Sequence, residues 1–308
     1  MPETPEISVV IPAHNESENL DTLRENLLAA LEGIGKPFEI LLVDDGSADG
    51  TFEKIAEFAS EDDRFKGLRM RKNVGKANAL AAGFEAALGE IVFTLDADNQ
   101  DDPSEMPRFL EKLEAGYDLV SGWKKIRKDP SQRVFASRVF NGIIRAISGV
   151  HLHDFNCGYK VYRSEVIKSL NLYGEWHRFI PVLASEEGFR VGEIPVVHHP
   201  RVRGKSRYGW ERYFRGFADC LTLLFLSRYA ERPAHLFTGF GVILGVFGAI
   251  MGLYAVTQSA YPLLFLGVLS VILGANFFFT GLLAELFVAR QPPKRFRTAI
   301  CERVGFER

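Results

Sequence analysis

The sequence predicts an α/β domain, then a helix along a membrane surface, and then two transmembrane helices. Three observations support this order. Over residues 1–208, short apolar runs alternate with amphipathic segments, as in βαβ units. From Pro233 to Ala284 there is no Asp, Glu, Lys or Arg, although these types make up 25% of the chain. Basic residues cluster on both sides of that uncharged run.

The alternating pattern predicts the elements of the α/β domain. The apolar runs that predict strands are Ile7–Ile11, Phe38–Val43, Leu68–Arg71, Ile91–Leu95, Asp118–Ser121 and Val191–Val197. The amphipathic segments that predict helices are Ser17–Leu31, Thr51–Ala59, Ala77–Leu88 and Pro103–Glu114. Elements that alternate in this way form a parallel sheet with helices on its faces.

Polar side chains follow three of the predicted strands, at the point where each strand ends. The three clusters are Pro12–Glu16, Asp44–Ser47 and Asp96–Asp98. In open α/β sheets, ligands bind in the crevice at the carboxyl ends of the strands. We therefore expect the three clusters to converge on one ligand-binding crevice.

The third cluster has the composition of a site for a hard divalent cation. Asp96 and Asp98 stand two residues apart, and further polar residues follow them. Oxygen ligands of this kind suit Mg²⁺ or Mn²⁺, which would neutralise a diphosphate leaving group. The alternative is that acidic residues here cap the helix that begins near Pro103, and Asp101 or Asp102 are candidates for that role alone.

Two common nucleotide-binding motifs are missing from the sequence. Neither Gly-x-Gly-x-x-Gly nor Gly-x-x-x-x-Gly-Lys-Ser/Thr occurs. Their absence argues against a dehydrogenase and against a nucleoside triphosphatase, so a nucleotide site must be of another kind. We expect no nucleic-acid partner.

An apolar hairpin is predicted over residues 233–289. Turn-forming residues at Val256–Pro262 divide the uncharged run into two stretches, His235–Ala255 and Leu263–Leu283. Each is long enough to cross a hydrocarbon layer of roughly 30 Å. The alternative is a helical hairpin buried in a soluble core, but such helices are usually shorter and carry a polar stripe. We therefore favour a multi-pass membrane protein.

Charge predicts the orientation of this hairpin in the membrane. Residues 123–145, 201–232 and 290–308 carry net charges of +6, +5 and +4, which leaves −17 on the rest of the chain. The last two segments flank the hairpin, whereas the loop at Gln258 is uncharged. By the positive-inside rule both flanks are cytoplasmic. The sequence thus predicts an inner-membrane protein whose α/β domain, residues 1–208, lies in the cytoplasm.

Residues 209–232 predict a helix in the membrane interface, and residues 290–308 a basic cytoplasmic tail. In the first segment aromatic residues recur at spacings of three and four among charged ones. The alternative is a helix packed on the α/β domain. The first membrane helix also carries four glycines on one face, which suit close helix contact. We favour contact within the hairpin over contact between subunits of a homo-oligomer; the glycines are Gly241, Gly245, Gly248 and Gly252.

Five ordered motifs carry a specific resemblance. They are Val9–Glu16 (VVIPAHNE), Val43–Ser47 (VDDGS), Asn73–Lys76 (NVGK), Asp96–Gln100 (DADNQ) and Asn156–Lys160 (NCGYK). Their order is that of family-2 inverting glycosyltransferases, and within that family the chain resembles the dolichyl- or undecaprenyl-phosphate sugar synthases. The resemblance implies a Rossmann-like glycosyltransferase A-type domain. It also implies transfer of a hexose from a UDP- or GDP-linked donor to a polyprenyl phosphate.

The resemblance also implies roles for individual residues. Those implied to bind the donor nucleotide are Pro12, Asn15, Glu16, Asp44, Lys76 and Asp96. Those implied to bind Mg²⁺ or Mn²⁺ are Asp96, Asp98 and Gln100. Asp154, four residues before Gly158, is implied to lie beside the reacting carbon as the catalytic residue.

Basic residues later in the chain imply an acceptor with a phosphate group. Arg201–Arg207 resembles the Arg-x-x-Gly-x-Ser-Lys stretch of these synthases, with Arg in place of the final Lys. Relatives often carry Arg soon after the fifth strand, where this chain has Trp123 and then two lysines. A lysine supplies a point charge and not a bidentate fork, and attraction to anionic lipid headgroups is the alternative for Lys124–Lys128. The implied acceptor-phosphate residues are Lys124, Arg133, Arg203, Ser206 and Arg207.

The implied reaction is a single inverting displacement with the acceptor phosphate as nucleophile. A phosphate monoester has a second pKa of roughly 6 and is already anionic at pH 7. Asp154 therefore either orients the sugar or takes a residual proton. Three other functions stay open: a processive polysaccharide synthase, whose Gln-x-x-Arg-Trp motif does not occur here, a transferase to another lipid, and a non-catalytic membrane scaffold.

Overall fold

A computed structural model describes residues 4–125, 131–170, 172, 176–199, 222, 225, 229 and 232–289 of the chain, with side chains for all of these except 131–136 and 289. The described residues form two compact units. The first contains those up to 199, and the second contains those from 222 onward. The predicted basic tail, and most of the predicted interface helix, lie outside the described residues.

A seven-stranded sheet forms the centre of the first unit, in the order β3-β2-β1-β4-β6-β5-β7. The first four strands in this order are parallel to one another, and β5 and β7 are also parallel. In contrast, β6 is antiparallel to both of its neighbours, β4 and β5. The strands are β1 Ile7–Ala13, β2 Phe38–Asp44, β3 Phe65–Arg69, β4 Ile91–Thr94, β5 Leu119–Lys124, β6 Lys160–Arg163 and β7 Val191–Val196.

Helices connect most of these strands. They are α1 Leu20–Ile34, α2 Thr51–Glu61, α3 Lys76–Ala86, α4 Met106–Glu114, α5 Ser131–Ser148, α6 Ser164–Ser169 and α7 Ile180–Glu186. Short 3₁₀ turns lie at Pro103–Glu105 and Trp176–Arg178. Gly35 ends α1 in the left-handed region, at φ +72°, and its N–H donates to the carbonyls of Leu31 and Glu32.

Apolar side chains cover both faces of the sheet. Alternate residues of β1 point to opposite faces, so that Val9 joins the layer of α1 and α4 while Val10 joins the layer of α3. Phe109 of α4 packs edge-on against Phe93 of β4, with ring centroids 6.1 Å apart. A sheet covered on both faces is the arrangement that the alternating pattern predicted, and the α/β fold class is confirmed.

The bounds of one strand were wrong, and strand β6 and helices α5, α6 and α7 were not predicted. The strand predicted at Leu68–Arg71 begins earlier, at Phe65, because the buried Phe65 ring packs against Phe58 of α2 with ring centroids 5.7 Å apart. Strand β6, Lys160–Arg163, was not predicted at all. It has four residues and begins with a lysine, so its apolar run is too short to indicate a strand.

The second unit contains two apolar helices, α8 Pro233–Thr257 and α9 Tyr261–Ala289. Both are long and apolar enough to cross a membrane, which confirms the predicted pair of candidate spans with longer bounds. Their glycines pack against each other: a Cβ on Gly241 would lie 2.6 Å from the carbonyl oxygen of Gly274, and one on Gly248 would lie 2.6 Å from that of Gly267. The favoured interpretation, contact within the hairpin, is therefore confirmed for these two glycines.

Candidate active site

The carboxyl ends of β2, β1 and β4 lie side by side at one edge of the sheet. These strands are parallel neighbours, with Ala13 of β1 opposite Asp44 of β2 and Val10 opposite Thr94 of β4. The loops that leave them carry the first, second and fourth sequence motifs. The predicted convergence of the three polar clusters on one crevice is confirmed by this register.

The loops after β1 and β2 hold each other through short polar contacts. Asn15 has a left-handed backbone, at φ 55°, and its N–H donates to the Ser47 hydroxyl at 2.9 Å. Its side-chain oxygen accepts from the Ala48 N–H, also at 2.9 Å. The Glu16 N–H donates to the Thr51 hydroxyl at 3.0 Å. Pro12, just before the end of β1, is half-buried opposite Val43.

Asp44 is fully buried and keeps one acceptor oxygen without a hydrogen bond among the described residues. Its Oδ1 accepts from the Ser47 N–H at 3.0 Å, whereas Oδ2 has only the Arg69 Nε, 3.7 Å away. A buried acceptor without a donor costs free energy. A ligand that brings an N–H or O–H group to Asp44 would remove that cost.

The neighbouring Asp45 has a different task, because it holds the third motif in place. Its two carboxylate oxygens accept from the backbone N–H groups of Val74 and Gly75, at 2.7 and 3.0 Å. Gly46 lies so close to this loop that a Cβ would stand 2.6 Å from the Asn73 nitrogen, and its φ is +68°. The second motif therefore needs both its aspartate and its glycine to place Lys76 at the start of α3.

Asp96 stands between cationic side chains at the end of β4. Lys76 forms an ion pair with it, and about a third of the Asp96 side chain is exposed, 32%. Burial raises the pKa of Asp96, but the charges of Lys76 and Lys124 outweigh burial and leave the pKa well below its ordinary value. Asp96 is thus a carboxylate at any pH at which an enzyme works, with a positive charge already beside it.

The fifth motif packs directly on Asp96. A Cβ on Gly158 would lie 2.5 Å from an Asp96 carboxylate oxygen, so only glycine fits there. The Thr94 hydroxyl donates to the Gly158 carbonyl at 2.8 Å. Asp154 is buried, its Oδ1 accepts from the Asn156 N–H at 3.1 Å, and its charge acts on both Cys157 and Lys160. The structure therefore brings Asp154 and Asp96 to the same edge of the sheet.

The predicted metal ligands lie on one turn, in different environments. Asp98 is buried and its Oδ1 accepts from the Gln100 N–H at 3.3 Å. The Gln100 side-chain nitrogen donates to the His199 carbonyl at 3.2 Å. Among the described residues, no three His, Cys, Asp or Glu side chains are arranged to hold a metal ion. A metal bound here would depend on Asp96 and Asp98 together with oxygens from the substrate.

The two aspartates that follow have separate roles. Asp102 caps the 3₁₀ turn, accepting from the Ser104 N–H at 3.0 Å, as the capping alternative predicted. Asp101 does not cap: it is buried and pairs with Lys124, with 3.0 Å between Nζ and Oδ1. Burial lowers the pKa of Lys124, but Asp101 and Asp96 act in the opposite direction and the pKa is raised. Lys124, predicted to bind the acceptor phosphate, is thus held by a carboxylate in the present structure.

The remaining predicted acceptor residues cannot be placed. The side chain of Arg133, on α5, and the residues Arg203, Ser206 and Arg207 lie outside the described part of the chain. Their roles stay predictions.

Two basic residues that the sequence did not single out line the back of the site. Lys160 and His177 border a cavity of about 10 Å³, room for a single water molecule, together with Lys76 and Asp96. Burial lowers the pKa of both Lys160 and His177. Lys160 donates to the Cys157 carbonyl and so holds the fifth motif from behind. Its place in the quoted motif was a signal for Lys160, whereas His177 lies in no motif.

Cys157 is the one cysteine within the described residues, and it is buried and free. Burial raises the pKa of its thiol to about 12. A thiol of that pKa is protonated near neutral pH and is a poor nucleophile. The cysteine therefore contributes packing and not chemistry.

Comparison with known proteins identifies a family and close relatives. Residues 8–170 match the model of glycosyl transferase family 2. The chain is 36% identical over 294 residues to dodecaprenyl-phosphate galacturonate synthase of Rhizobium johnstonii, across 91% of this chain and 87% of the relative. It is 37% identical over 286 residues to undecaprenyl-phosphate 4-deoxy-4-formamido-L-arabinose transferase of Edwardsiella ictaluri, with the same two shares covered.

Solved structures show the same fold. Glucosyl-3-phosphoglycerate synthase from Mycobacterium tuberculosis, in complex with Mn²⁺ and uridine-diphosphate-glucose, superposes with a TM-score of 0.55 and 20% sequence identity. The match covers 72% of this chain and 79% of that protein. At this identity the likeness concerns the fold alone.

Proposed function

The chain belongs to glycosyl transferase family 2, and from that premise we propose that it moves a sugar from a nucleotide-sugar to a polyprenyl phosphate at the cytoplasmic face of the inner membrane. The observation that carries the proposal is the meeting of the motif loops at one sheet edge, with Asp44, Asp96 and Asp154 all on it. Relatives named for transfer to dodecaprenyl and undecaprenyl phosphate support the acceptor class. The apolar hairpin supports a lipid acceptor.

The donor nucleotide would occupy the crevice after β1, β2 and β4. The free oxygen of Asp44 suits a donor group on the base or the ribose, and Pro12, Asn15 and Glu16 would line the same crevice. Lys76 would contact the diphosphate and Asp96 would lie beside it. A nucleobase with an N–H next to a carbonyl, as in uracil or guanine, is the kind of ligand that a buried carboxylate selects.

A divalent cation, Mg²⁺ or Mn²⁺, fits this site. Asp96 and Asp98 supply carboxylate oxygens, and Gln100 is the third expected ligand. The ammonium group of Lys76 already lies against Asp96, which shows that this carboxylate attracts positive charge. When bound, such an ion would stabilise the diphosphate as it leaves.

The reaction itself would be one displacement with inversion. An oxygen of the acceptor phosphate forms the bond to the anomeric carbon, while the bond from that carbon to the donor diphosphate breaks. Asp154, buried at the same edge, would orient the sugar or take a proton from a partly protonated phosphate. Arg133, Arg203, Ser206 and Arg207 would bind the acceptor phosphate.

The sugars named for the two relatives differ, which widens the range of donor sugars to be tested. We expected a hexose, and galacturonate, in the name of one relative, is a hexose derivative. The name of the other contains an arabinose, which is a pentose. A donor panel should therefore contain hexoses, hexuronates and aminopentose derivatives, each as a UDP- and, where accessible, a GDP-linked sugar.

The proposal is tested with the full chain in detergent, undecaprenyl phosphate and labelled nucleotide-sugars. We expect a labelled lipid that mild acid cleaves, and no transfer to undecaprenol or to diacylglycerol. Asp98→Asn should lower kcat by about 10²-fold or more, because several kcal/mol of charge stabilisation is lost. Asp102→Asn is the matched control, since asparagine caps a helix as well as aspartate. Full activity in excess chelator, or a neutral lipid as the better acceptor, would contradict the proposal.

A further inference from the structure

His153, the residue before Asp154, is held by contacts from three sides. Its backbone N–H donates to Glu193 Oε2 at 2.7 Å, and its ring Nδ1 contacts the other oxygen, Oε1, of the same carboxylate. Its carbonyl accepts from the Asn141 side chain at 2.8 Å. The backbone position that leads into Asp154 is therefore fixed by one residue of β7 and one of α5.

The ring of His153 is also stacked on an indole. Its centroid lies 4.1 Å from that of Trp123, and the two planes differ by 16°. Trp123 and Glu193 belong to the adjacent strands β5 and β7, where Ser121 pairs with Glu193. Because Trp123 is two residues after Ser121, the indole and the carboxylate stand on the same face of the sheet.

The segment just before His153 is anchored in the same way. The Arg145 guanidinium donates to the Leu152 carbonyl at 2.9 Å, so α5 holds two consecutive carbonyls. Leu152 and Asp154 are both buried, whereas the His153 side chain is 53% exposed. Because the His153 side chain is half-exposed, it contributes little to the apolar core. Its several contacts therefore indicate a role other than core packing.

We propose that Trp123, Asn141 and Glu193 form a clamp on His153 that positions Asp154 for the reaction. The inference rests on the proposed function, in which Asp154 lies beside the reacting carbon. A shift of about 1 Å in a reacting group can cost about 10²-fold in rate. The clamp holds the backbone next to Asp154 through Glu193 and Asn141, and it holds the His153 ring through the indole of Trp123. All three are positioning residues, and none needs to contact the substrate.

The indole of Trp123 has a second neighbour. Lys125 Nζ lies 5.6 Å from the centroid of its ring. The indole offers a flat surface that His153 covers, so Trp123 contributes to holding the segment that leads into Asp154.

The first test varies Glu193 in the full-length enzyme. Glu193→Ala removes both contacts to His153 and should lower kcat about 10- to 100-fold, while KM for donor and acceptor stays within about twofold. Glu193→Gln keeps an oxygen for the His153 N–H and an amide for the ring nitrogen, so it should restore at least a third of the wild-type kcat. Glu61→Ala, which removes a surface carboxylate paired with Arg24, is the matched control and should leave kcat unchanged. Thermal unfolding in detergent checks that each variant is folded.

The second test is a double-mutant cycle with Asp154→Asn. If Glu193 acts through Asp154, adding Glu193→Ala to Asp154→Asn should cost less than threefold more. Equal losses in both backgrounds, or an effect of Glu193→Ala on KM alone, would overturn the clamp. If Asp154→Asn itself has the wild-type rate, the role of Asp154 in the proposed function fails, whatever Glu193 does. The two failures are therefore distinguishable.

Discussion

The α/β domain and the apolar hairpin bury opposite kinds of residue. In the domain many large side chains are fully buried, among them Phe93, Phe109 and Tyr159. In the hairpin the buried residues include Gly241 and Gly248, while large side chains such as Ile243 and Phe287 are 70% and 73% exposed. Water drives apolar side chains inward in the first case. In hydrocarbon that force is missing, and close packing of the helix backbones replaces it. The opposite burial patterns therefore indicate that the domain is built for water and the hairpin for a lipid bilayer.

The largest effect is expected where the domain buries charge. Asp101→Asn leaves Lys124, whose side chain is 14% exposed, without its buried carboxylate partner and should lower the free energy of unfolding by about 3–5 kcal/mol. Denaturant titration in detergent, followed by a spectroscopic signal of the α/β domain, measures this loss in the free energy of unfolding. The hairpin contains no comparable buried ion pair among its described residues, so its helical signal should not change. A loss under 1 kcal/mol would show that Lys124 escapes to solvent.

The same variant has a defined pH dependence. Burial raises the pKa of Asp101, but Lys124 and His198 outweigh it, so the folded pKa lies below the unfolded value of about 3.9. Stabilisation from a lowered carboxyl pKa is present above the unfolded value and disappears as the pH falls through the folded one. The gap between wild type and Asp101→Asn should therefore be constant near neutral pH and shrink below about pH 4.

The next largest effect is expected when a lysine replaces an exposed apolar residue of the hairpin. The same change at an exposed apolar residue of the α/β domain is the comparison. Ile243 in α8 is 70% exposed and Leu88, after α3, is 60% exposed. Ile243→Lys should cost about 2.5–3.5 kcal/mol of membrane insertion, because the charge would face hydrocarbon. Leu88→Lys faces water and should stay within about 0.5 kcal/mol of wild type. Insertion efficiency and unfolding midpoints measure the pair, and equal tolerance at both sites would argue against a membrane hairpin.

At the contact between the two hairpin helices, stability depends on side-chain volume. Gly248→Leu would place a Cβ 2.6 Å from the Gly267 carbonyl oxygen and should destabilise the hairpin by about 1–3 kcal/mol. Gly239→Leu on the same helix is the control, since a Cβ there meets nothing within 4 Å. Heat denaturation in detergent, followed by circular dichroism, compares them. Equal melting curves would mean that the glycine contact is not needed.

The smallest effect concerns the single carboxylate within the hairpin helices. Glu285 accepts from the Ala234 N–H at 3.1 Å, at the first turn of α8, where a negative charge is favoured. Glu285→Gln keeps an acceptor but removes the charge, so the hairpin should lose about 0.3–1 kcal/mol. Glu285→Ala should lose more than Glu285→Gln. A hairpin that is more stable with Glu285→Gln than with glutamate would show that the charge is unfavourable there.

Patterns of local sequence predicted most of the strands, and the failure at β6 has a physical cause. Strand β1 was predicted well because its apolar run is buried on both faces and reads continuously. Strand β6 depends on its partners, β4 and β5, which lie far away in the sequence. Its four residues, Lys160–Arg163, carry a charge at each end and resemble a loop. Pairing between distant segments, and not local propensity, makes this segment a strand.

The candidate site divides in the same way. Residues that lie in motifs, such as Asp44 and Asp96, were found because they follow strands whose ends must meet. His153 and Glu193 are separated by 40 positions and share no pattern, and only the folded structure brings them into contact. Lys124 was recognised as a cation, but its partner Asp101 was assigned at most a capping role. Sequence shows which residues carry charge, and the fold decides which of them face each other.

The antiparallel strand β6 has a consequence for the order in which the domain is assembled on the ribosome. Within the described sheet, β6 is the link between the β3-β2-β1-β4 half and the β5-β7 pair. The first half is complete once residue 94 has been made, before β5 and β6 have been synthesised. Strand β5 must then wait, unpaired, until residues 160–163 emerge. A nascent chain stalled between these points should expose β5 to chaperones and proteases, while the nucleotide half is already protected.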